Sequence, residues 1–65
     1  MNVVVNGRDV EAAESATVAE VLELLGFPDR GIAVAMDSTV LPRSRWDTTL
    51  SDGARLEVVT AVQGG

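Results

Sequence analysis

Side chains that carry covalent or acid–base chemistry are nearly absent from this chain. It has no Cys, no His, no Tyr and no Lys. That removes disulfides, zinc sites, thiol nucleophiles, Schiff-base lysines and histidine proton transfer from the functions its side chains could perform. The group left is at the end of the chain, Gln63-Gly64-Gly65. With glycine at about 7% of average usage, two terminal glycines by chance are roughly a one-in-two-hundred event. A frayed or truncated end is the plain reading. The chemical reading is that two residues without Cβ make a thin segment able to enter a narrow channel and lie against a nucleotide. The reactive group is then the α-carboxylate of Gly65. An α-carboxylate, ordinarily with a pKa near ~3.5, is ionised at neutral pH. It can attack the α-phosphate of ATP to give an acyl adenylate. Nothing in the sequence resembles a phosphate loop, so a partner enzyme must hold the ATP and its Mg.

Other candidates bind rather than react. Arg43 and Arg45 flank Ser44 beside Trp46, a small basic and aromatic patch in an acidic protein. Arg and Trp are enriched at interface hot spots; the competing reading has Trp46 capping the core with both arginines solvated. Val59 and Val62 fall on or beyond the outward face of the last strand. They form either a docking strip beside the tail or a sign that the two faces are exchanged. Glu20 and Glu23 read as a solvated helix face. Ten acids against five arginines give a net charge of −5. That disfavours nucleic acid, which needs a basic face, and suits a positively charged protein partner.

These groups need a scaffold, and 65 residues allow one small domain with a marginal core. A large enclosed catalytic cavity is not expected in it. Met1 to Asn6 reads as a strand with Val3 and Val5 on one face. Asn6-Gly7 is a hairpin signal, because both residues tolerate positive φ. Asp9 to Ala13 reads as the returning edge strand. A helix from Val18 to Leu25 follows, with Thr17 as N-cap and Glu20 completing a capping box. Val18, Val21, Leu22 and Leu25 form its apolar stripe. Gly26 supplies the left-handed stop, with Phe27 packing back and Pro28 preventing continuation. Ile32 to Met36 reads as a buried strand, Asp37-Ser38-Thr39 as a turn, and Val40-Leu41 as a short partner strand ended by Pro42. Arg43 to Thr49 reads as irregular, with Leu50 as a core anchor. Ser51-Asp52-Gly53 turns the chain into a last strand, Arg55 to Val62, with Leu56 and Val58 inward.

Few arrangements cover one sheet face with this single helix. The economical one pairs the last strand in parallel with the first, at the centre of a mixed sheet. That is an α+β, ubiquitin-like β-grasp of four or five strands. Residues 1–62 are expected to form the domain and 63–65 a C-terminal tail. No targeting segment or membrane span is visible, so a cytoplasmic location is expected.

A resemblance covers essentially the whole chain. Gly31-Ile32-Ala33-Val34-Ala35, Val40-Leu41-Pro42-Arg43-Ser44-Arg45-Trp46, Leu50, Asp52-Gly53 and Glu57 through Gly65 resemble the ThiS family, the small sulfur carriers of thiamin thiazole biosynthesis. Val5-Asn6-Gly7 and Thr17 through Leu22 fit the same pattern. The resemblance implies a β-grasp fold and no enzymatic activity or cofactor of its own. It also implies adenylation of Gly65 by a ThiF-like adenylyltransferase using ATP and Mg. A sulfur-donating enzyme then makes the thiocarboxylate, and a ThiG-like thiazole synthase receives the sulfur. The free carrier is expected to be a monomer. A carrier without a thiol must hold sulfur on a carboxyl carbon, which fits the missing Cys. Two departures stand out: Gln63 where many relatives have glycine, and Asp37-Ser38-Thr39 in place of an Asn-Gly type of turn. The alternatives are a carrier for molybdopterin or cysteine synthesis, a ubiquitin-like protein-conjugating modifier, and an interaction module with an incidental Gly-Gly.

Overall fold

The computed structural model describes residues 1–60. The expectations for Ala61 and Val62 as strand and for Gln63, Gly64 and Gly65 as tail lie outside the described residues.

Strand β1 (Asn2–Val5) turns through Asn6 and Gly7 into β2 (Arg8–Glu11). Asn6 and Gly7 both sit in the left-handed region, at φ 51° and 80°, as a two-residue hairpin turn of matching twist requires. The turn pairs Val5 with Arg8 at once. The returning strand therefore starts one residue earlier than the Asp9 expected. The strand pairing ends at Asn2 with Glu11, and Met1 and Ala12 beyond it still exchange hydrogen bonds. Ala12 N–H then donates to the Met1 carbonyl at 2.8 Å.

Helix α1 (Val18–Leu24) is capped as its sequence implies. Glu20 N–H donates to Thr17 Oγ1 at 3.2 Å, and Thr17 N–H donates to Glu20 Oε1 at 2.8 Å. Two further first-turn donors, which no helix can satisfy internally, find acceptors in the loop that precedes β5. Val18 N–H reaches the Thr48 carbonyl at 3.1 Å and Ala19 N–H the Trp46 carbonyl at 2.9 Å. At the other end Phe27 N–H donates to the Leu22 carbonyl and Gly26 N–H to that of Glu23, both at 3.0 Å. With Gly26 at φ 81°, this is a Schellman stop. One member of the expected stripe departs. Leu25 is the C-cap and is 41% exposed. The helix ends before its second turn can lay that side chain on the sheet, and the Schellman turn sends Phe27 against the core instead.

Strands β3 (Ile32–Met36), β4 (Thr39–Leu41) and β5 (Arg55–Thr60) complete one five-stranded sheet in the order β2-β1-β5-β3-β4. β5 lies in the middle, parallel to β1 and antiparallel to β3. This is the mixed β-grasp sheet expected. Asp37 and Ser38 make the β3–β4 turn at φ 49° and 72°, so the left-handed geometry forms without glycine, and Thr39 already pairs with Met36. β3 is not buried throughout: Val34 is enclosed and Ala33 is exposed. The helix covers one face of the sheet only, so alternate residues face outward. The segment read as irregular contains a 3₁₀ turn, Arg43–Arg45, directly after Pro42. Its φ of −61° matches what the pyrrolidine ring imposes.

The core joins Val3, Val5, Leu56, Val58 and Val34 from the sheet to Val18, Val21 and Leu22 from the helix, closed by Trp46 and Leu50. Among the described residues no helix is long and apolar enough to cross a membrane.

Candidate functional site

Gly65, Gly64, Gln63 and Val62 lie outside the described residues. The site is therefore built from the strand that leads to them. β5 is gripped from both sides by turn residues. On one side Asp37 N–H donates to the Arg55 carbonyl at 2.9 Å, and Asp37 Oδ1 accepts the Arg55 N–H at 3.1 Å. On the other, Asn6 N–H donates to the Leu56 carbonyl at 2.9 Å. The Asn6 side chain then spans to Val58: Oδ1 accepts the Val58 N–H at 2.7 Å, and Nδ2 donates to the Val58 carbonyl at 3.2 Å. Asn and Asp are the non-glycine residues that enter the left-handed region readily, and at both turns the short polar side chain is used. The sequence marked both positions as turns. Their grip on β5 was not legible, because it depends on which strand lies beside each turn.

Val59 points away from the core and is 63% exposed, so the outward reading of that face holds. It pairs with Ala33, while Val40 pairs with Ala35, which in turn pairs with Glu57. Two alanines thus form the floor between two exposed valines, Val40 being 74% exposed. The open face of the sheet is a shallow apolar strip, edged by Arg55 and Glu57 on β5. Alternation in β3 and β4 was the signal for Ala33, Ala35 and Val40, which the sequence reading did not single out.

Arg43, Arg45 and Trp46 are not part of that face. Trp46 is only 8% exposed and belongs to the core, so the capping reading prevails over that of an exposed anchor. Its Nε1–H donates to the Leu41 carbonyl at 3.2 Å. The Arg43 guanidinium lies 5.3 Å from the Trp46 ring centroid and donates to the Asp29 carbonyl. Arg43 and Trp46 border an open groove of about 740 Å³ between α1, Phe27–Asp29 and the 3₁₀ turn. It is a surface depression rather than the enclosed cavity that catalysis asks for. Among its polar side chains, Glu20 closes the capping box and Arg43 clamps the Phe27–Asp29 loop to Trp46. The helix side and the open sheet face are therefore two separate surfaces.

At the chain start the Met1 amine donates to the Ala12 carbonyl at 2.6 Å and lies 3.3 Å from both Glu11 and Glu14. Desolvation opposes its charge. The hydrogen bonds that the amine donates to Glu14 and Glu11, with the charges of those carboxylates, outweigh that and hold the amine above its usual range.

Comparison with known proteins agrees with this arrangement. The ThiS family model matches residues 2–65. The whole chain is 33% identical to part of a thiazole synthase from Paramagnetospirillum magneticum, of which it spans 20%. It is 29% identical, over the full length of both chains, to the sulfur carrier protein ThiS of Escherichia coli. The crystal structure of the thiamine biosynthesis protein ThiS from Geobacter metallireducens superposes with a TM-score of 0.80 at 35% identity, with both chains fully covered. A solution structure of a thiamine biosynthesis protein from the same organism gives 0.79 at 36%, covering 88% of that chain. The family match runs through both hairpins, the capped helix and the central parallel strand to the final glycines, and the chain belongs to the ThiS family.

Proposed function

We propose that this protein carries sulfur for thiamin thiazole formation as a thiocarboxylate on Gly65. It acts as a protein substrate rather than an enzyme. The Gly65 carboxylate attacks the α-phosphate of Mg-bound ATP in a ThiF-like adenylyltransferase, and pyrophosphate leaves. A sulfur nucleophile supplied by a donor enzyme displaces AMP from the acyl adenylate. A ThiG-like thiazole synthase then takes the sulfur. Residues 1–62 act as the handle and 63–65 as the reactive tail, with Gln63 and Gly64 leading into Gly65. The observation that carries this reading is the family match that extends to Gly65. The absence of any Cys supports sulfur on a carboxyl carbon. The Paramagnetospirillum thiazole synthase, with a segment similar to this whole chain, supports a thiazole synthase as the acceptor over molybdopterin or cysteine synthesis.

Docking falls to the open face of the sheet, where Val59, Val40 and the alanines between them leave apolar area uncovered. Arg43 lies on the other side and serves, with Trp46, to hold the helix-side loops.

The test is ATP–pyrophosphate exchange with the cognate activating enzyme. Deleting Gly65 draws the carboxylate back by about 3.5 Å of extended chain, and a misplacement of 1 Å can cost about 100-fold. The shortened chain is expected to fold, to bind, and to support almost no exchange. Full exchange without Gly65 would overturn the reading. Intact mass from a native host adds a second measure: a thiocarboxylate appears as the mass difference between sulfur and oxygen, whereas attachment to another protein appears as a large adduct.

A further inference from the structure

We infer that Asn6 is a positioning residue for the carrier reaction, because its side-chain amide takes the place of a missing rung beside β5 just before the chain runs on to its reactive end. The inference rests on the sulfur-carrier reading above.

In a strand, the N–H and C=O of alternate residues face the same edge. On the edge of β5 that faces β1, the pairing is Val4 with Arg55 and Val5 with Leu56. Asn6 N–H adds one bond to the Leu56 carbonyl. The next residue whose backbone faces this edge is Val58. A longer β1 would meet it with another peptide group, but the chain has already turned away through Asn6 and Gly7 into β2. The Asn6 amide stands in for that peptide. It offers a carbonyl oxygen to the Val58 N–H at 2.7 Å and an N–H to the Val58 carbonyl at 3.2 Å. The opposite edge of β5 is fixed by β3, which pairs with it as far as Thr60. Val58 is thus the last described residue of β5 shown to be bonded on the β1 edge.

The residue type follows from the task. The side chain must present one donor and one acceptor on a one-carbon arm, from a residue at positive φ. Asp would keep the acceptor but set a carboxylate oxygen against the Val58 carbonyl. Gln would add a methylene and overshoot. Gly would accept the backbone conformation and lose both bonds. The bonds join the exposed Asn6 side chain to the backbone of the buried Val58, so their loss costs some stability, which the melting curve reads. Its larger effect is on the course of β5 toward Gly65, where acyl transfer tolerates about 1 Å before losing roughly 100-fold.

Asn6→Gly and Asn6→Asp in the full-length chain test this, the first without conformational strain and the second with the acceptor retained. Both are expected to melt cooperatively above the assay temperature. Amide hydrogen exchange at Val58 should rise selectively while Val3 and Val34 stay protected. The rate of ATP–pyrophosphate exchange at saturating carrier should fall by roughly ten- to a hundredfold, with KM for the carrier near that of the parent protein. Three results overturn the inference: parental rates at saturation, unchanged protection of Val58, or a rate loss that follows the unfolded fraction and recovers on cooling. The Gly65 deletion run in parallel separates the two readings. Exchange that persists without Gly65 removes the carrier function. A Gly65-dependent exchange that ignores Asn6 removes only the positioning role.

Discussion

Asn6 and Asp37 sit at equivalent points of two hairpins, at φ 51° and 49°, and each folds its side chain onto the backbone of β5. A turn residue chosen for its conformation thereby becomes a clamp on a strand from another part of the chain. Met1 works in a similar way through its amine, which ties the start of β1 to Glu11, Ala12 and Glu14. The folded state raises the pKa of that amine, so protonation favours folding. The stabilisation is complete below the ordinary amine pKa of about 8. It is lost as pH rises through the higher folded value. Melting temperature in a chain with a free Met1 amine should therefore decline on the alkaline side. The decline should flatten in Glu11→Gln with Glu14→Gln, because the raised pKa depends on those carboxylates. An equal decline in both proteins would remove the amine from the account.

Helix α1 has seven residues, too few to be stable alone. Its caps and its contacts with the loop carry it. Thr17→Ala removes the acceptor for Glu20 N–H and should cost about 0.5–2 kcal/mol, measured by denaturant unfolding. Leu22→Ala should cost about 2–5 kcal/mol, as for other buried leucines. Leu25→Ala should cost far less, because Leu25 is partly exposed at the cap. Equal losses at Leu22 and Leu25 would mean that the apolar stripe continues through the C-cap. The 46–49 loop belongs to the same unit, since it accepts from Val18 and Ala19. Trp46→Ala, which empties the end of the core beneath Arg43, should cost about 3–5 kcal/mol, a large share of the stability of a domain of this size.

The molecule as a whole presents two faces of different character. The helix side is closed by Trp46, Phe27 and the capping box, with Glu20 and Arg43 engaged in holding it. The opposite face keeps Val40 and Val59 in solvent over a floor of alanine. Val59→Asp with Val40→Asp should leave the melting temperature within the small range of surface changes, about ±0.5 kcal/mol per site. It should raise KM for the carrier in pyrophosphate exchange by roughly tenfold or more, as the loss of an interface anchor above 1 kcal/mol implies. Arg43→Ala with Arg45→Ala should cost some stability, about 0.5–1 kcal/mol for the stacked guanidinium, and leave KM unchanged. The reverse pattern, binding lost through the arginines and retained without the valines, would move docking to the helix side.

The sequence by itself determined every local element that its own neighbours can enforce. The Asn6-Gly7 turn, the Thr17–Glu20 box, the Gly26-Phe27 stop and the alternation of Leu56 and Val58 each depend on contacts within a few residues, so residue type and spacing suffice. The motif pattern through Gly65 also sufficed to point to the ThiS family. Only the tertiary structure decided which surface each residue serves. Trp46 could be an anchor or a core cap until Leu41 and Arg43 were placed around it. Leu25 matched the helical period, yet the helix ends before that position meets the sheet. Asn6 reads as a turn former in any hairpin; its hold on Val58 exists because β5, more than fifty residues later in the chain, lies parallel beside β1. Long-range pairing of this kind leaves no local trace, since no residue between positions 6 and 58 needs to record it.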